Sequence, residues 1–335
     1  MSETRTIKKI LSTLNWVPAH WDKLAPVLAP AEIVYADHHD IPAVLAAIKD
    51  VDVALLGGDI DLEMLNAAKQ VRWVHCDHAG LNASNHPEIH DRGIILTSSS
   101  GRSAPVLAEH VFFLLLSLIY DSRLIETHQQ GHIWKNIAEN RQKGAITRTM
   151  GVIGLGKTGL EVVKRARAFG MPILGYTRTA RDTIPDGVEK LYCEERGDTV
   201  DELLQKSDVV VLTTSLSDKT YHLIDERRFG LMKPTAFLIN LSRGPVVDEK
   251  ALYKALVNKQ IAGAGSDVFE QEPLPAESPL WDLPNMIITS HSTPAVADRN
   301  GFSLQVISDN VRLYREGKPL RNQQDRRDVY TKGDK

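Results

Sequence analysis

At 335 residues the chain is about twice the length of an ordinary domain, so two domains are expected. Its 40 basic and 43 acidic side chains leave a net charge of −3, which argues against a protein dominated by nucleic-acid backbone binding, and two cysteines, Cys76 and Cys193, are too few for a disulfide scaffold. Hydrophobic residues make up 42%, enough for a sizeable core, and the most apolar run, Val106–Tyr120, contains Glu109 and His110 and falls short of the roughly 20 residues a membrane helix needs. Residues Met1 to Lys9 carry no apolar signal region, so the expected location is the cytoplasm, with no nucleic-acid and no membrane partner.

In chain order, the first hundred residues predict short strands at Ile7–Leu11, Ile33–Tyr35, Val51–Leu56, Trp73–Cys76 and Ile94–Leu96, with helices around Ala43–Lys49 and Leu62–Gln70. From Pro105 to about Gln130 the pattern predicts one long apolar helix. Strand-like runs then recur at Met150–Ile153, Pro172–Tyr176, Val209–Leu212, Ala236–Asn240, Gly263–Val268 and Met286–Thr289, most of them apolar on both faces. Thr199 with Glu202 reads as a capping box ahead of Leu203 and Leu204, and Asp248 as the cap of a helix bearing Leu252, Ala255 and Leu256. Pro294–Tyr314 is helical in pattern, and the last twenty residues are expected to fray. Alternation of this kind predicts an α/β protein of two doubly wound parallel-sheet domains.

Gly154-Leu155-Gly156-Lys157-Thr158-Gly159 follows the strand Met150–Ile153 and opens a helix. In that setting Gly154 allows the tight turn, Gly156 lets the backbone approach a pyrophosphate, and Gly159 lets helix and strand pack closely. The next strand ends in Tyr176-Thr177-Arg178-Thr179, with no carboxylate before Asp182. A carboxylate would hold a ribose 2′-hydroxyl and repel a 2′-phosphate, whereas a guanidinium binds the phosphate. NADP is therefore expected over NAD, although Arg178 also reads as an ordinary surface arginine.

Arg243, Glu272 and His291 each follow a strand of the second half, at the carboxyl edge where open α/β sheets bind ligands. Around them, the Ala108-Glu109-His110 helix, the Gly154 loop, Leu231-Met232-Lys233-Pro234 leading to Asn240–Asp248, and Asp267–Leu274 occur in one order. By these motifs the chain resembles the D-isomer specific 2-hydroxyacid dehydrogenases, of the glyoxylate/hydroxypyruvate reductase kind. The resemblance implies a Rossmann cofactor domain, 101–293, inserted into a flavodoxin-like substrate domain formed by 1–100 and 294–335. It implies that Arg243 grips the substrate carboxylate, that His291 gives the ketone its proton, and that Glu272 pairs with His291 and fixes the ring. It also implies substrate contacts from Ala79 and Gly80, cofactor contacts from Ser215, Thr220 and Ser242 beside the glycine loop, Arg178 and Thr179, and a reach of Asp267 to the nicotinamide end. Relatives form homodimers through the cofactor domain, which points to His128–Arg141 as the arm.

Other readings of the same residues stay open. Arg243 could pair with Asp248 or Asp267, Glu270 competes with Glu272, and His291 could be an ordinary loop histidine. His75-Cys76-Asp77-His78 resembles a metal cluster, but strand alternation points His75 and Cys76 apart, and no metal is expected. His75 or His78 is instead a candidate to line the substrate cleft. Thr213-Thr214-Ser215 and Ser290-His291-Ser292-Thr293-Pro294 depart from the family pattern. The expected activity is hydride transfer from NADPH, or NADH, to a small 2-oxo acid; the alternative is a cofactor-sensing, corepressor-like binding protein on the same fold.

Overall fold

The computed structural model describes residues 4–135, 144–293 and 296–333. Two compact units are present: one holds the chain up to Ser103 and again from residue 295, the other runs from Ala104 to residue 294.

In the first unit β1 (Lys9–Ser12), β2 (Glu32–Tyr35), β3 (Val53–Leu56), β4 (Trp73–Cys76) and β5 (Ile95–Ser98) form a parallel sheet in the order β2-β1-β3-β4-β5. That is the flavodoxin-like doubly wound order. Alternation along the strands sends Leu11, Ala54, Leu56, Val74 and Cys76 to one face, against α2 (Ile41–Ala47) and α3 (Leu62–Ala67) through Val44, Met64 and Leu65. Ile10, Val53, Leu55 and Trp73 face the other layer, where α1 (Pro18–Leu28) buries Leu24 and Leu28. Burying each such side chain is worth about 1.5–3 kcal/mol. Asp40 and Asp61 cap α2 and α3, accepting from Ala43 N–H at 3.1 Å and Met64 N–H at 2.8 Å. A short α4 (Pro87–Asp91) precedes β5.

The second unit begins with α5 (Ala104–Tyr120) and α6 (Ser122–Gln130). There follow β6 (Met150–Ile153), α7 (Lys157–Ala168), β7 (Ile173–Thr177), β8 (Lys190–Cys193), α8 (Asp201–Lys206) and β9 (Val209–Leu212). Then come α9 (Glu226–Phe229), β10 (Phe237–Asn240), α10 (Glu249–Val257), β11 (Gly263–Ser266) and β12 (Met286–Ile288). The seven strands are parallel in the order β12-β11-β10-β9-β6-β7-β8. This is the Rossmann order, and its switch point lies between β6 and β9. Val111, Leu114 and Leu115 of α5 and Val162, Val163 and Ala166 of α7 join Val152, Val211 and Ile239 in one core. The first unit is completed by α11 (Arg299–Arg315), whose Ile307, Val311 and Tyr314 pack in the core of α1.

The elements differ from the sequence expectation in four places. The long apolar helix is two helices bent by 63°, because Asp121 takes a left-handed backbone (φ 50°) and its carboxylate caps α6 at Leu124 N–H. No single helix among the described residues is long and apolar enough to cross a membrane. The capping box is not formed: Val200 is the cap position of α8, and Glu202 instead accepts from Lys190 and Lys206. Four elements lacked a clear signal, namely α1 and α4, which open on prolines, the four-residue α9, and β8, a sheet edge with Lys190 and Leu191 incompletely buried. Finally, the charged tail is held down: the Asn322 amide donates to Ser98 O and Ser100 O, and Gln324 N–H to Leu96 O.

Candidate active site

Gly154 leaves β6 with φ +99°, a conformation that disfavours any side chain, and a Cβ there would fall 2.7 Å from Thr214 N. Gly159 in the first turn of α7 is as tightly constrained, since a Cβ would lie 2.1 Å from Gly154 O. That carbonyl accepts from the Thr213 hydroxyl at 2.6 Å, so the turn is closed against the end of β9 at the switch point. Gly156 is different: it caps α7, and a Cβ there meets nothing within 4 Å. Leu155 is buried, Lys157 exposed and Thr158 half-buried. Two glycines therefore shape a bare helix N-terminus and the third faces open space, an arrangement that fits a diphosphate.

At the end of β7, Arg178 is half-buried and Thr179 exposed, and Arg181 donates from its guanidinium to Leu155 O, joining this edge to the glycine loop. After β9, Thr220 closes a turn, its hydroxyl donating to Ser215 O at 2.8 Å and accepting from Ser217 N–H at 2.7 Å.

Arg243, Glu272 and His291 follow three strands that are neighbours in the sheet, β10, β11 and β12. After β10, the buried Asn240 side chain accepts from the amide and hydroxyl of Ser242 at 3.0 and 2.7 Å and donates to Arg243 O at 3.3 Å. This turn fixes the backbone that carries Arg243. After β12, His291 has φ 51°, and its Nδ1 lies 2.7 Å from Glu272 Oε2. A carboxylate only accepts, so Nδ1 bears the proton in this bond and Nε2 is not part of it. The other Glu272 oxygen accepts from Phe269 N–H at 2.9 Å.

Buried Asp267 anchors the His291 loop. One carboxylate oxygen accepts from the Thr289 hydroxyl at 2.6 Å and Ser292 N–H at 3.1 Å, the other from the Thr293 hydroxyl at 3.1 Å. His110 of α5 spans the same loop, with Nε2 3.1 Å from Thr289 Oγ1 and Nδ1 3.2 Å from Thr293 Oγ1. Both Asp267 oxygens thus hold the loop that carries His291.

Comparison with known proteins matches the description "D-isomer specific 2-hydroxyacid dehydrogenase" twice, its NAD binding domain over residues 112–293 and its catalytic domain over 21–194. The chain is 35% identical over 289 residues to a glyoxylate reductase of Korarchaeum cryptofilum, covering 82% of each chain. The chain belongs to the D-isomer specific 2-hydroxyacid dehydrogenases. It is also 36% identical over 298 residues to a glyoxylate reductase of Pyrococcus horikoshii, covering 85% of this chain and 86% of the relative. Among solved structures, the family member of Xanthobacter autotrophicus Py2, in complex with NADPH and MES, is 26% identical with a TM-score of 0.78, over 96% of this chain and 99% of that one. The protein is thus an NAD(P)-dependent oxidoreductase.

In the first unit a turn follows β4. Gly80 takes φ 77°, and Ser99 N–H donates to Cys76 O and His78 O at 3.3 and 3.1 Å. Beneath it Asp77 is buried with three partners: Arg102 at 2.9 Å, the Ser99 hydroxyl at 2.7 Å and the Trp16 indole at 3.0 Å. His75 does not line a cleft. It is fully buried between Thr97 at 3.0 Å and Ser99 at 3.1 Å, and burial pushes its pKa down to about 4. Cys76 faces the opposite layer, beside Ser84. His78 is the partly exposed one, 3.3 Å from Asp59.

Sequence reasoning singled out Arg243, Glu272 and His291 but missed the groups that hold them. Asn240 could have been found, as an Asx turn at a strand end. The roles of His110, Thr289 and Thr293 carry no local signal, because their partners lie up to 183 residues away.

Proposed function

We propose that the protein reduces a small 2-oxo acid, such as glyoxylate or hydroxypyruvate, to the D-2-hydroxy acid with NADPH. The carrying observation is the His291–Glu272 pair at 2.7 Å, next in strand order to Arg243. Glyoxylate reductases among the relatives, and the NADPH bound by the Xanthobacter protein, support the reading. Arg243 binds the α-carboxylate through its planar fork. His291 Nε2 delivers a proton to the ketone oxygen, and Glu272 holds the ring through Nδ1 so that Nε2 keeps one direction. The nicotinamide supplies the hydride when bound. The glycine loop residues Gly154, Leu155, Gly156, Lys157, Thr158 and Gly159, with Ser215, Thr220 and Ser242, hold the cofactor. Arg178 and Thr179 at the end of β7, joined by Arg181, take the 2′-phosphate.

Steady-state kinetics on a panel of 2-oxo acids with both cofactors tests this reading. Turnover of glyoxylate or hydroxypyruvate with NADPH is expected, and cofactor binding without turnover would refute it. Arg178→Ala should raise the KM for NADPH about tenfold, one lost charge-assisted contact, while that for NADH moves less than twofold. Equal effects on both cofactors would remove the basis for preferring NADPH.

The protein acts as a homodimer joined through the second unit. Support comes from exposed Phe113, Leu124, Ile125, Ile133 and Trp134 in and after α5 and α6. Of the expected arm, residues 136–141 lie outside the described residues. Sedimentation equilibrium should give twice the 37.2 kDa chain mass, and a monomer would exclude the arrangement.

A further inference from the structure

We propose that His222 is a positioning residue that clamps the segment carrying Arg243 to the segment carrying Glu272. The inference rests on the reading of Arg243, Glu272 and His291 as the reacting groups.

His222 lies between β9 and α9 with a left-handed backbone, φ 50°. Its N–H donates to Pro245 O at 2.8 Å, two residues past Arg243, and Ile224 bridges Val247 just beyond. Its ring reaches the other segment: Nε2 is 2.9 Å from Glu270 Oε1, two residues before Glu272. Tyr221 stacks on the ring at 3.9 Å between centroids, which fixes its plane. One residue thus holds the Arg243 segment by its backbone and the Glu272 segment by its side chain.

The two segments meet without slack. A Cβ on Gly244 would fall 1.8 Å from the carbonyl carbon and oxygen of Phe269 and 2.5 Å from Glu270 N, so peptide lies directly on peptide. Glu249 and Glu270 exchange backbone-to-carboxylate bonds, Glu249 N–H to Glu270 Oε1 at 3.1 Å and Glu270 N–H to Glu249 Oε1. The Phe269 N–H then reaches Glu272 Oε1.

Electrostatics give the clamp something to oppose. Asp248, Glu249, Glu270 and Glu272 crowd this corner, and the Glu249 carboxyl is raised above its ordinary range by burial and by the charges of Glu270 and Glu272. The His222 imidazole offers the Glu270 carboxylate a donor among these acids, with its other nitrogen 4.0 Å from Asp248 Oδ2. Without it, repulsion among the carboxylates and water entering at Glu270 would let the Phe269–Glu272 turn move, and with it the partner of His291.

His222→Asn keeps a residue that tolerates the left-handed backbone but is too short to reach Glu270. Glu270→Ala removes that bond from its exposed partner, together with the one Glu249 N–H makes to the same oxygen, and serves if the first variant fails to fold. Each should lower kcat about tenfold to a hundredfold, the scale of a misplaced catalytic group, with the KM for the 2-oxo acid and the dissociation constant of NADPH within threefold. Glu270→Gln, which keeps the acceptor, should recover most of the kcat lost in Glu270→Ala. Without substrate, amide exchange at Phe269 and Glu270 should quicken at least tenfold in His222→Asn while strand amides of β6 and β9 stay unchanged. Wild-type kcat and exchange in both His222→Asn and Glu270→Ala would overturn the clamp alone, provided Glu272→Gln is impaired. Were Glu272→Gln also to turn over at the wild-type rate, the reacting set would be wrong and the clamp would fall with it.

Discussion

Replacing His291 by Asn should lower kcat about 10²- to 10⁴-fold while NADPH binds within twofold of wild type. Asn accepts the φ of 51° that His291 holds, so the loop has no reason to refold around the change. Thr289, Ser292 and Thr293 remain on Asp267, keeping the backbone in place. What disappears is the Nε2 proton donor. Glu272→Gln should do less, about tenfold, because the glutamine oxygen still accepts from Nδ1, while the charge assistance and the acceptor for Phe269 N–H are lost. Rapid-mixing measurement of NADPH oxidation at saturating oxo acid separates this chemical step from product release. A full single-turnover amplitude at the wild-type rate in His291→Asn would mean that the proton comes from elsewhere.

The alternation of apolar runs made the sheets legible, because strands sandwiched between two helix layers must be apolar on both faces. Asp121 was not legible as a break: it sits in a stretch that reads as one long apolar helix, and only its φ and its cap on Leu124 reveal two helices. Lys190–Cys193 was lost because an edge strand need not be apolar throughout. At the site, motif order picked out Arg243, Glu272 and His291, and left Glu270 competing with Glu272. The structure separates the two acids by partner: Glu272 on His291, Glu270 on His222 across 48 residues. Nothing in local sequence encodes such a pairing, since it depends on which strand ends the topology brings side by side. Asp267 teaches the same point. The resemblance implied a cofactor contact for it, and its burial and three donors add a second part, as the anchor of the His291 loop.

The largest effect on stability should come from Arg102→Met in the first unit. Arg102 and Asp77 are both buried, 2.9 Å apart, and the guanidinium donates as well to the Ser303 hydroxyl of α11 at 3.3 Å. Removing the cation leaves a buried carboxylate with, among the described residues, only the Ser99 hydroxyl and the Trp16 indole as donors, a loss of about 3–5 kcal/mol. Neutralising the acid as well, in Arg102→Met with Asp77→Asn, should restore more than half of that, because the cost lies in the uncompensated charge and not in the lost contact. Trp16, Trp21 and Trp73 belong to this unit, so urea unfolding followed by tryptophan fluorescence reports it, and a Trp134→Phe, Trp281→Phe background removes the signal of the other. The distinction matters because two units need not unfold in one step. If the double variant were as unstable as Arg102→Met alone, packing of the Arg102 stem against its surroundings, rather than the charge on Asp77, would be what holds this end of the sheet.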